Sequence, residues 1–287
     1  MTRMTSAALA LTMIAAARPA AAQQDFRWSG RLAAGQTIEI RNVKGDIRAE
    51  PAAGGEVTVT ADYRDGRSER VRVEMVRRDY GVVICALYPS SRNSDGRWGR
   101  NHDHDDDEPR DACNPRGGMN VHEGDPDVAF VVRVPAGVKL SARNVSGDVE
   151  ARGLRGPVDA RSVSGDVHVS SAADVRASSV SGNVFASLGR IPTRGLEFRS
   201  VSGDVTLELP AGTDADFSAR TLSGEIDSDF PLTIEGRRGR RDNDDDDDDR
   251  GWPRVRVGHN MHARLGSGGP ELSVTTVSGD ITLRRAR

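Results

Sequence analysis

Aromatic residues are scarce in this chain of 287 residues, where Phe, Trp and Tyr together make up 4%. A core assembled around large rings is therefore disfavoured, and a narrow aliphatic core is expected. The chain also lacks a charge excess, because its 40 basic residues nearly balance 43 acidic ones, for a formal net charge of −3. A slightly acidic chain lacks the excess of basic residues that binds the phosphates of nucleic acid. We therefore exclude nucleic acid as a partner.

Long apolar runs are absent except at the N-terminus. There, Arg3 precedes an apolar stretch over residues 4–17, and the small residues Ala20-Ala21-Ala22 come just before Gln23. This order is typical of a secretory signal peptide over residues 1–22, and the apolar stretch is too short to span a bilayer comfortably. The sequence therefore predicts an exported protein without a transmembrane segment, in the periplasm or at the cell surface.

Cysteine is rare as well, since only Cys85 and Cys113 occur. Cys85 lies in an apolar, strand-like run, and Cys113 lies in a polar segment. In an exported protein such a pair favours a disulfide over a metal site or two free thiols. The bond would tie the base of a long insertion to a sheet.

What the chain does contain is one short motif, repeated seven times: an apolar residue, Ser or Lys, Gly, an Asp-like residue, then Val or Ile. Each copy is too small to bury its own apolar face, so the copies must stack on their neighbours. The copies occupy residues 43–47, 145–149, 163–167, 180–184, 201–205, 222–226 and 277–281.

Two apolar or small residues at alternate positions precede each motif, as Val158 and Ala160 do before Val163. Alternation with period two predicts a strand with one buried face. The second of these residues lies three positions before the motif, so an undisturbed strand would turn the motif's apolar residues outward. We therefore expect the chain to bend or bulge between the two runs, which makes each unit a strand, a corner and a strand.

The spacing of the units predicts the architecture. From Gly147 to Gly224 the motif glycines are 17 to 21 residues apart. A strand with a crossover helix needs about 30 residues or more, whereas a coil of short strands fits. The sequence predicts an all-β fold, a single-stranded and right-handed β-solenoid, in one domain over residues 23–287. Its coils would stack at about 4.8 Å, with like residues in columns.

Two polar insertions interrupt this domain, at about residues 90–126 and 236–253. Both are rich in Asp and Arg, and we expect disordered loops because blocks of like charge repel themselves. Trp98 and Trp252 lie beside Arg and acidic residues in these insertions, where an exposed ring can stack on a sugar. The acidic run that contains Asp244, Asp246 and Asp248 can take Ca²⁺. Solvated loops without a ligand are the alternative interpretation.

The motif glycines are interpreted as structural, for a backbone shape or a close approach that a Cβ would block. A phosphate-binding loop would lead into a helix, and no helical pattern follows any copy. A Ser nucleophile would need one assembled site with a base, and no His recurs with the motif. We therefore assign no catalytic residues. The glycines are Gly45, Gly147, Gly165, Gly182, Gly203, Gly224 and Gly279.

The acidic position of the motif allows two interpretations. If the copies stack in chain order, Asp148, Asp166, Asn183, Asp204 and Glu225 form one outward row, and like charges at that spacing repel. Each side chain could accept a local backbone N–H beside the glycine. Alternatively, Ca²⁺ could bind between coils through Asp148, Asp166 and Asp204, although Asn183 halves the charge of two adjacent pairs. No other cofactor is predicted.

The repeated Val-Ser-Gly-Asp-Val phrase, the ending over residues 272–281 and the signal-like N-terminus together resemble the bacterial putative adhesin family, exported β-strand-repeat domains of unknown function. The resemblance covers nearly all of the mature chain. It implies a β-solenoid envelope protein with a role in adhesion or surface interaction, and it supplies no catalytic residues. The two Asp-rich insertions look like additions to the family's pattern.

These observations predict a non-enzymatic envelope protein, an adhesin or interaction scaffold that contacts an envelope protein or a surface glycan through exposed faces of the solenoid. One alternative is a polysaccharide-active enzyme, because β-helices also host lyases and hydrolases with carboxylates along a groove. Another is a periplasmic sensor that binds a second envelope protein. An enzyme would need closely placed, non-repeating acids in one cleft, whereas a scaffold needs only regular columns.

Overall fold

The protein is described by a computed structural model that covers residues 26–64, 71–88, 113, 125–191, 196–234 and 260–286. Over these residues the elements are all β-strands. They are β1 (Phe26–Gly30), β2 (Thr37–Arg41), β3 (Ile47–Pro51), β4 (Val57–Arg64), β5 (Arg72–Arg78), β6 (Gly81–Leu87), β7 (Asp127–Val134), β8 (Lys139–Arg143), β9 (Val149–Leu154), β10 (Val158–Ser164), β11 (Val167–Ser171), β12 (Val175–Ser181), β13 (Val184–Leu188), β14 (Leu196–Ser202), β15 (Val205–Leu209), β16 (Ala215–Arg220), β17 (Ile226–Ser228), β18 (Leu232–Ile234), β19 (Asn260–Leu265), β20 (Glu271–Thr275) and β21 (Ile281–Arg285).

The strands form two large sheets. Among the described strands, a ten-stranded sheet has the order β1-β4-β7-β3-β9-β11-β13-β15-β21-β17, and an eleven-stranded sheet has the order β18-β19-β16-β20-β14-β12-β10-β8-β2-β6-β5. Neither order closes on itself into a barrel. The all-β prediction is confirmed.

Both sheets are mixed, which differs from the uniform single-stranded repeat that the sequence predicted. The central strands are parallel, as β10 and β12 are. Antiparallel strands flank them, as in the pairs β4–β7, β5–β6 and β18–β19. The antiparallel pairs arise outside the repeats, where short turns connect consecutive strands. The two-residue turn Asp79-Tyr80, for example, places β6 directly beside β5, and so short a connection requires antiparallel pairing.

Each motif copy connects one sheet to the other. β10 belongs to the eleven-stranded sheet and β11 to the ten-stranded sheet, and the same alternation holds at every copy. We call each such pair of strands a layer. In spatial order the seven layers are β2–β3, β8–β9, β10–β11, β12–β13, β14–β15, β20–β21 and β16–β17.

One layer is out of chain order. β20 lies between β14 and β16, and β21 lies between β15 and β17. The connection runs through β19, which pairs with the other side of β16, and then through the turn at 266–270. Gly266 and Gly268 have φ of 56° and 79° in this turn, in the left-handed region that glycine tolerates best. We call β20–β21 the interposed layer.

The core lies between the two sheets and is aliphatic, as predicted. Val158, Ala160, Val167 and Val169 of one layer are at most 2% exposed. In the next layer Val175 and Ala177 lie directly beside Val158 and Ala160. Of the residues that the structure describes, three Phe are among the largest fully buried side chains: Phe130, Phe198 and Phe217. Like residues therefore form columns along the stack.

The predicted bend before the motif is wrong for the three central copies, where β10, β12 and β14 continue into the motif. β2, β8, β16 and β20 instead end before it, and the chain bends at the motif's first residue. In β10, Val158, Ala160 and then Ser162 point inward and are buried, so Val163 points outward. The chain turns only at Ser164, Gly165 and Asp166, and Val167 is buried again. The corner therefore lies inside the motif, and it leaves the first apolar residue of the motif on the surface.

Candidate interaction surface

A line of exposed apolar side chains runs along the stack at the ends of the eleven-stranded sheet's strands. Five Val side chains are 41–48% exposed, and Leu222 is 70% exposed. These six account for most of the eight large apolar side chains that are exposed in the described part of the chain. In spatial order they are Val145, Val163, Val180, Val201, Val277 and Leu222. We call them the apolar column.

The alignment of the column follows from strand register. Arg161, Ser178 and Arg199, two residues before the apolar position, are direct neighbours on adjacent strands. Ser164, Ser181 and Ser202, one residue after it, are neighbours as well. The apolar residues between them are therefore separated by one strand spacing, about 4.8 Å.

A buried polar residue precedes each apolar residue and fixes the corner. Ser179 is 3% exposed, and its Oγ donates a hydrogen bond to the Gly165 carbonyl oxygen of the neighbouring layer at 2.8 Å. Six such hydrogen bonds of 2.8–3.2 Å occur, the Ser179 bond included. Each runs from a side-chain hydroxyl or amide to the carbonyl oxygen of a motif glycine in the neighbouring layer. The donors are Asn144, Ser162, Ser179, Ser200, Thr276 and Thr221. Each one pairs a buried side-chain donor, which would cost about 1–3 kcal/mol if left unpaired, with a partly buried carbonyl.

The motif glycines allow the layers to approach closely. At Gly165, φ is 148°, and an added Cβ would lie 2.2 Å from the Gly147 carbonyl oxygen. At all seven copies the corresponding distance to a neighbouring carbonyl oxygen is 2.0–2.5 Å. Such contacts are far inside van der Waals distance, so a side chain would force adjacent corners apart.

The acidic position forms a continuous hydrogen-bonded row. The Oδ1 atom of Asp148 accepts the main-chain N–H of Asp166 at 2.8 Å, and six such bonds of 2.7–3.0 Å connect the seven layers. The row is Asp46, Asp148, Asp166, Asn183, Asp204, Asp280 and Glu225. It differs from the predicted row because the interposed layer brings Asp280 between Asp204 and Glu225.

Asn183 explains what this row needs. Its Oδ1 accepts the Asp204 N–H at 2.9 Å, as a carboxylate oxygen does elsewhere. The acceptor oxygen, and not the charge, is therefore the common requirement at the acidic position. In each of the six bonds the side chain accepts the backbone amide of the neighbouring layer and not one from its own corner, and Ca²⁺ binding by Asp148, Asp166 and Asp204 stays a prediction.

Arginines flank the apolar column on its other side. The side chains of Arg143, Arg161 and Arg199 are 50–65% exposed, and Arg220 is exposed as well. Arg161 forms a two-point contact with Asp159, with nitrogen–oxygen distances of 2.9 and 3.1 Å, and this hydrogen bonding raises the pKa of Arg161. The surface thus has four parallel columns, which are Arg-rich, apolar, Ser and acidic.

The first insertion is anchored beside one end of this surface. Cys85 and Cys113 form a disulfide, and the Cys113 carbonyl accepts a hydrogen bond from Arg41 Nη1 at 2.7 Å. Arg41 Nε also lies 2.8 Å from Glu39, a carboxylate that is 6% exposed. Tyr80 donates its hydroxyl to the same carboxylate at 3.1 Å. Partial burial and the Glu39 charge raise the pKa of Tyr80.

Lys44 replaces the motif Ser in the layer next to this insertion. Its Nζ lies 2.8 Å from Asp127 Oδ1 and donates to the Asp125 carbonyl at 3.0 Å. The Tyr88 hydroxyl lies 3.1 Å from the Lys44 carbonyl oxygen, and burial raises the pKa of Tyr88. Val43, the apolar residue of this copy, is only 6% exposed. The apolar column therefore begins at Val145.

Several predicted ligand residues lie outside the described part of the chain: Trp98, Trp252, Asp244, Asp246 and Asp248. Within the described residues, no group of three or more His, Cys, Asp or Glu is placed to hold a metal ion. The same residues include no helix of the length and hydropathy that a membrane crossing requires.

Sequence reasoning missed both the buried donors and the exposure of the apolar column. The signal for the donors was present, because Asn, Ser or Thr stands directly before all seven motif copies. A small hydrogen-bonding residue at a constant inward position indicates a buried carbonyl that needs a donor. With that position inside, the next residue must point outward.

No family model matches the chain, and neither does any curated protein. Among solved structures, it is similar to a putative cell adhesion protein from Clostridium sporogenes, with 10% identity and a TM-score of 0.49, over 92% of this chain and 100% of that one. It is also similar to a putative adhesin from Bacteroides fragilis, with 10% identity and a TM-score of 0.27, over 92% of this chain and 98% of that one. Similarity at this level supports no conclusion about the function of this chain.

Proposed function

We propose that this protein is an exported, non-enzymatic envelope protein that acts as an adhesin or interaction scaffold, with the apolar column at the centre of its contact surface. The observation that carries the proposal is the exposure of six aligned large apolar side chains. Contiguous exposed apolar patches on soluble domains mark binding sites more often than isolated apolar residues do. The parallel layers are then best described as a two-sheet solenoid that presents this surface.

The surface is held rigidly, which suits binding. The corners are fixed by buried donors, by glycine contacts and by side chains at the acidic position that accept the amide of the next layer. Side chains held in this way lose little further freedom when a partner covers them, so more of the apolar burial appears as affinity. The six strands that carry the column together extend about 29 Å along the stack at 4.8 Å for each strand, which is long enough for a flat or extended partner.

The acidic residues favour a scaffold over the polysaccharide-active enzyme. Six of the seven layers carry a carboxylate at this position, and those of Asp46, Asp148, Asp166, Asp204 and Asp280 each accept a main-chain amide. Hydrolysis of a glycosidic bond instead needs two carboxyl groups in one cleft, about 5–9.5 Å apart, with different pKa values. A repeated row of equivalent carboxylates does not differentiate an acid from a base.

The test compares matched triple variants of the mature chain, residues 23–287. Val163→Ser, Val180→Ser and Val201→Ser together remove the centre of the column. The control carries His168→Ser, Phe185→Ser and Thr206→Ser, three outward neighbours in the same layers on the ten-stranded sheet. We expect the column variant to lose at least tenfold in binding to purified bacterial envelopes, and the control to bind like the unmodified protein. Equal binding by both variants, or no binding by the unmodified protein, would contradict the proposal.

Two ligand hypotheses accompany this proposal. Ca²⁺ is proposed at the acidic row or at Asp244, Asp246 and Asp248, and a surface glycan is proposed at Trp98 and Trp252. Thermal unfolding with and without Ca²⁺, together with a glycan array, tests them. No shift in the unfolding temperature and no glycan signal would leave protein partners as the binding class.

A further inference from the structure

We propose that two copies of this protein associate face to face through the apolar column, about a two-fold axis that runs parallel to the column. The inference rests on the proposed function, because it uses the same surface and names one occupant for it. The argument comes from the charges that flank the column, from their order along the stack, and from the area that the surface offers.

The two flanks of the column carry opposite charges. On one side lie Arg143, Arg161, Arg199 and Arg220, and on the other side lies the acidic row. The arginines have partners on the side away from the column, where Arg161 contacts Asp159 and Arg199 contacts Glu197. A guanidinium has five N–H donors and a carboxylate has about four lone-pair sites, so both flanks can form further contacts.

Charge selects one arrangement of the two copies. An axis parallel to the column exchanges left and right, so the arginine flank of one copy meets the acidic flank of the other on both sides. An axis across the column instead brings arginine against arginine and acid against acid. Like charges in contact oppose association, whereas opposite charges favour it and fix the orientation.

The order of residues along the stack agrees with this arrangement. Rotation about an axis parallel to the column leaves height unchanged, so each layer faces the same layer of its partner. Four layers carry Arg on one flank and an acid on the other, and the layer with Ser178 carries the neutral Asn183. The charged pairs are Arg143 with Asp148, Arg161 with Asp166, Arg199 with Asp204 and Arg220 with Glu225. Only the interposed layer, with Thr275 and Asp280, departs from this match.

The available area is enough for a weak dimer. Six strands at 4.8 Å give a length of about 29 Å, and five residues at 3.3 Å give a width of about 16 Å. The patch is therefore roughly 460 Å² in each copy, or about 900 Å² in total, close to the ~1,000 Å² lower bound for specific interfaces. A dimer that forms reversibly with concentration is expected, and it should weaken in high salt.

Sedimentation velocity over a concentration series, at low and high salt, tests the association. We expect the unmodified protein to shift from monomer to dimer, and the Val163, Val180 and Val201 triple Ser variant to stay monomeric at concentrations at least tenfold higher. Asp166→Asn with Asp204→Asn keeps both acceptor oxygens, as Asn183 does, and removes two charges. This variant should dimerise more weakly and lose much of the salt dependence. A monomer at every soluble concentration would overturn the proposal.

A single cysteine at the end of the column tests the axis. Under the proposed symmetry Val145→Cys lies opposite its own copy in the partner, so mild oxidation should join two chains through this residue. With an axis across the column, Val145 would face Leu222, and only a mixture of Val145→Cys and Leu222→Cys would be joined efficiently. If the protein is monomeric while the triple Ser variant still loses envelope binding, the dimer is refuted and the proposed function stands.

Discussion

Replacement of Ser179 by Ala is the most direct test of how the corners are held. The Ser179 hydroxyl is buried and donates to the Gly165 carbonyl at 2.8 Å. Alanine removes the donor and leaves the Gly165 carbonyl, at a partly buried corner, without this partner. An unpaired buried acceptor costs about 1–3 kcal/mol, and the lost hydroxyl is too small to be replaced by a water molecule.

Urea unfolding converts this cost into a measurable shift. For an m value of about 3 kcal/mol/M, a loss of 1–3 kcal/mol lowers the unfolding midpoint by about 0.3–1 M. Circular dichroism near 218 nm would follow the strands in the unmodified protein and in each variant. The slope should stay constant, because the substitution changes hardly any of the surface that unfolding exposes.

Ser178→Ala supplies the matched control, since Ser178 is the preceding residue of the same strand and faces outward. Substitutions at such positions usually change stability by no more than about 0.5 kcal/mol. The strand propensity and the chemical change are the same in the two variants, so a difference between them isolates the inward hydrogen bond. Equal midpoints for the two variants would refute the role that we assign to the buried donors.

Three further outcomes follow from the corner geometry and the disulfide. Gly165→Ala should destabilise the protein more than Ser179→Ala does, because its Cβ would lie 2.2 Å from a main-chain oxygen, and a midpoint unchanged in urea would contradict this. Asp204→Asn should keep nearly full stability, whereas Asp204→Ala should lose about 0.5–1.5 kcal/mol in the same assay, because the Asp280 N–H is exposed to water and only Ala lacks its acceptor oxygen. Thiol titration of the denatured, unreduced protein should find no free sulfhydryl, and two would refute the bond between Cys85 and Cys113.

Local rules carried most of the fold prediction. Alternation of residues such as Val158 and Ala160 indicated strands with one buried face, and the spacing of the glycines indicated short strands joined by corners. Such patterns are readable because neighbouring residues in a strand determine each other's orientation.

The exposed column was missed because every valine of the motif was assigned to the core. Valine is more hydrophobic than serine, so hydropathy places Val163 in the core and Ser162 on the surface. The reason for the opposite orientation becomes visible only when the neighbouring layer is present. Ser162 points inward because its hydroxyl donates a hydrogen bond to the carbonyl oxygen of Gly147, which lies 15 residues earlier in the chain. A pattern of hydrophobic residues does not show where a buried main-chain acceptor requires a donor.

The order of the layers could not be obtained from the motifs either. Every corner presents the same glycine, acceptor oxygen and donor, so each layer can in principle pair with any other. The position of β20–β21 depends on how β19 and the turn at 266–270 route the chain around β16. That route is a property of the whole fold, and no local pattern in residues 271–285 encodes it.

The interposed layer has a consequence for biosynthesis. A nascent chain that has been made only as far as Ser228 holds β16–β17 but not the strands that separate them from β14–β15. Because all corners match, the two early layers could pair with each other and would have to part again for β20 and β21. Folding in the order of translation would therefore build a different arrangement of layers. A chain shortened to residue 265 would lack the interposed layer, which lies inside the stack, and would keep β16–β17 at its end.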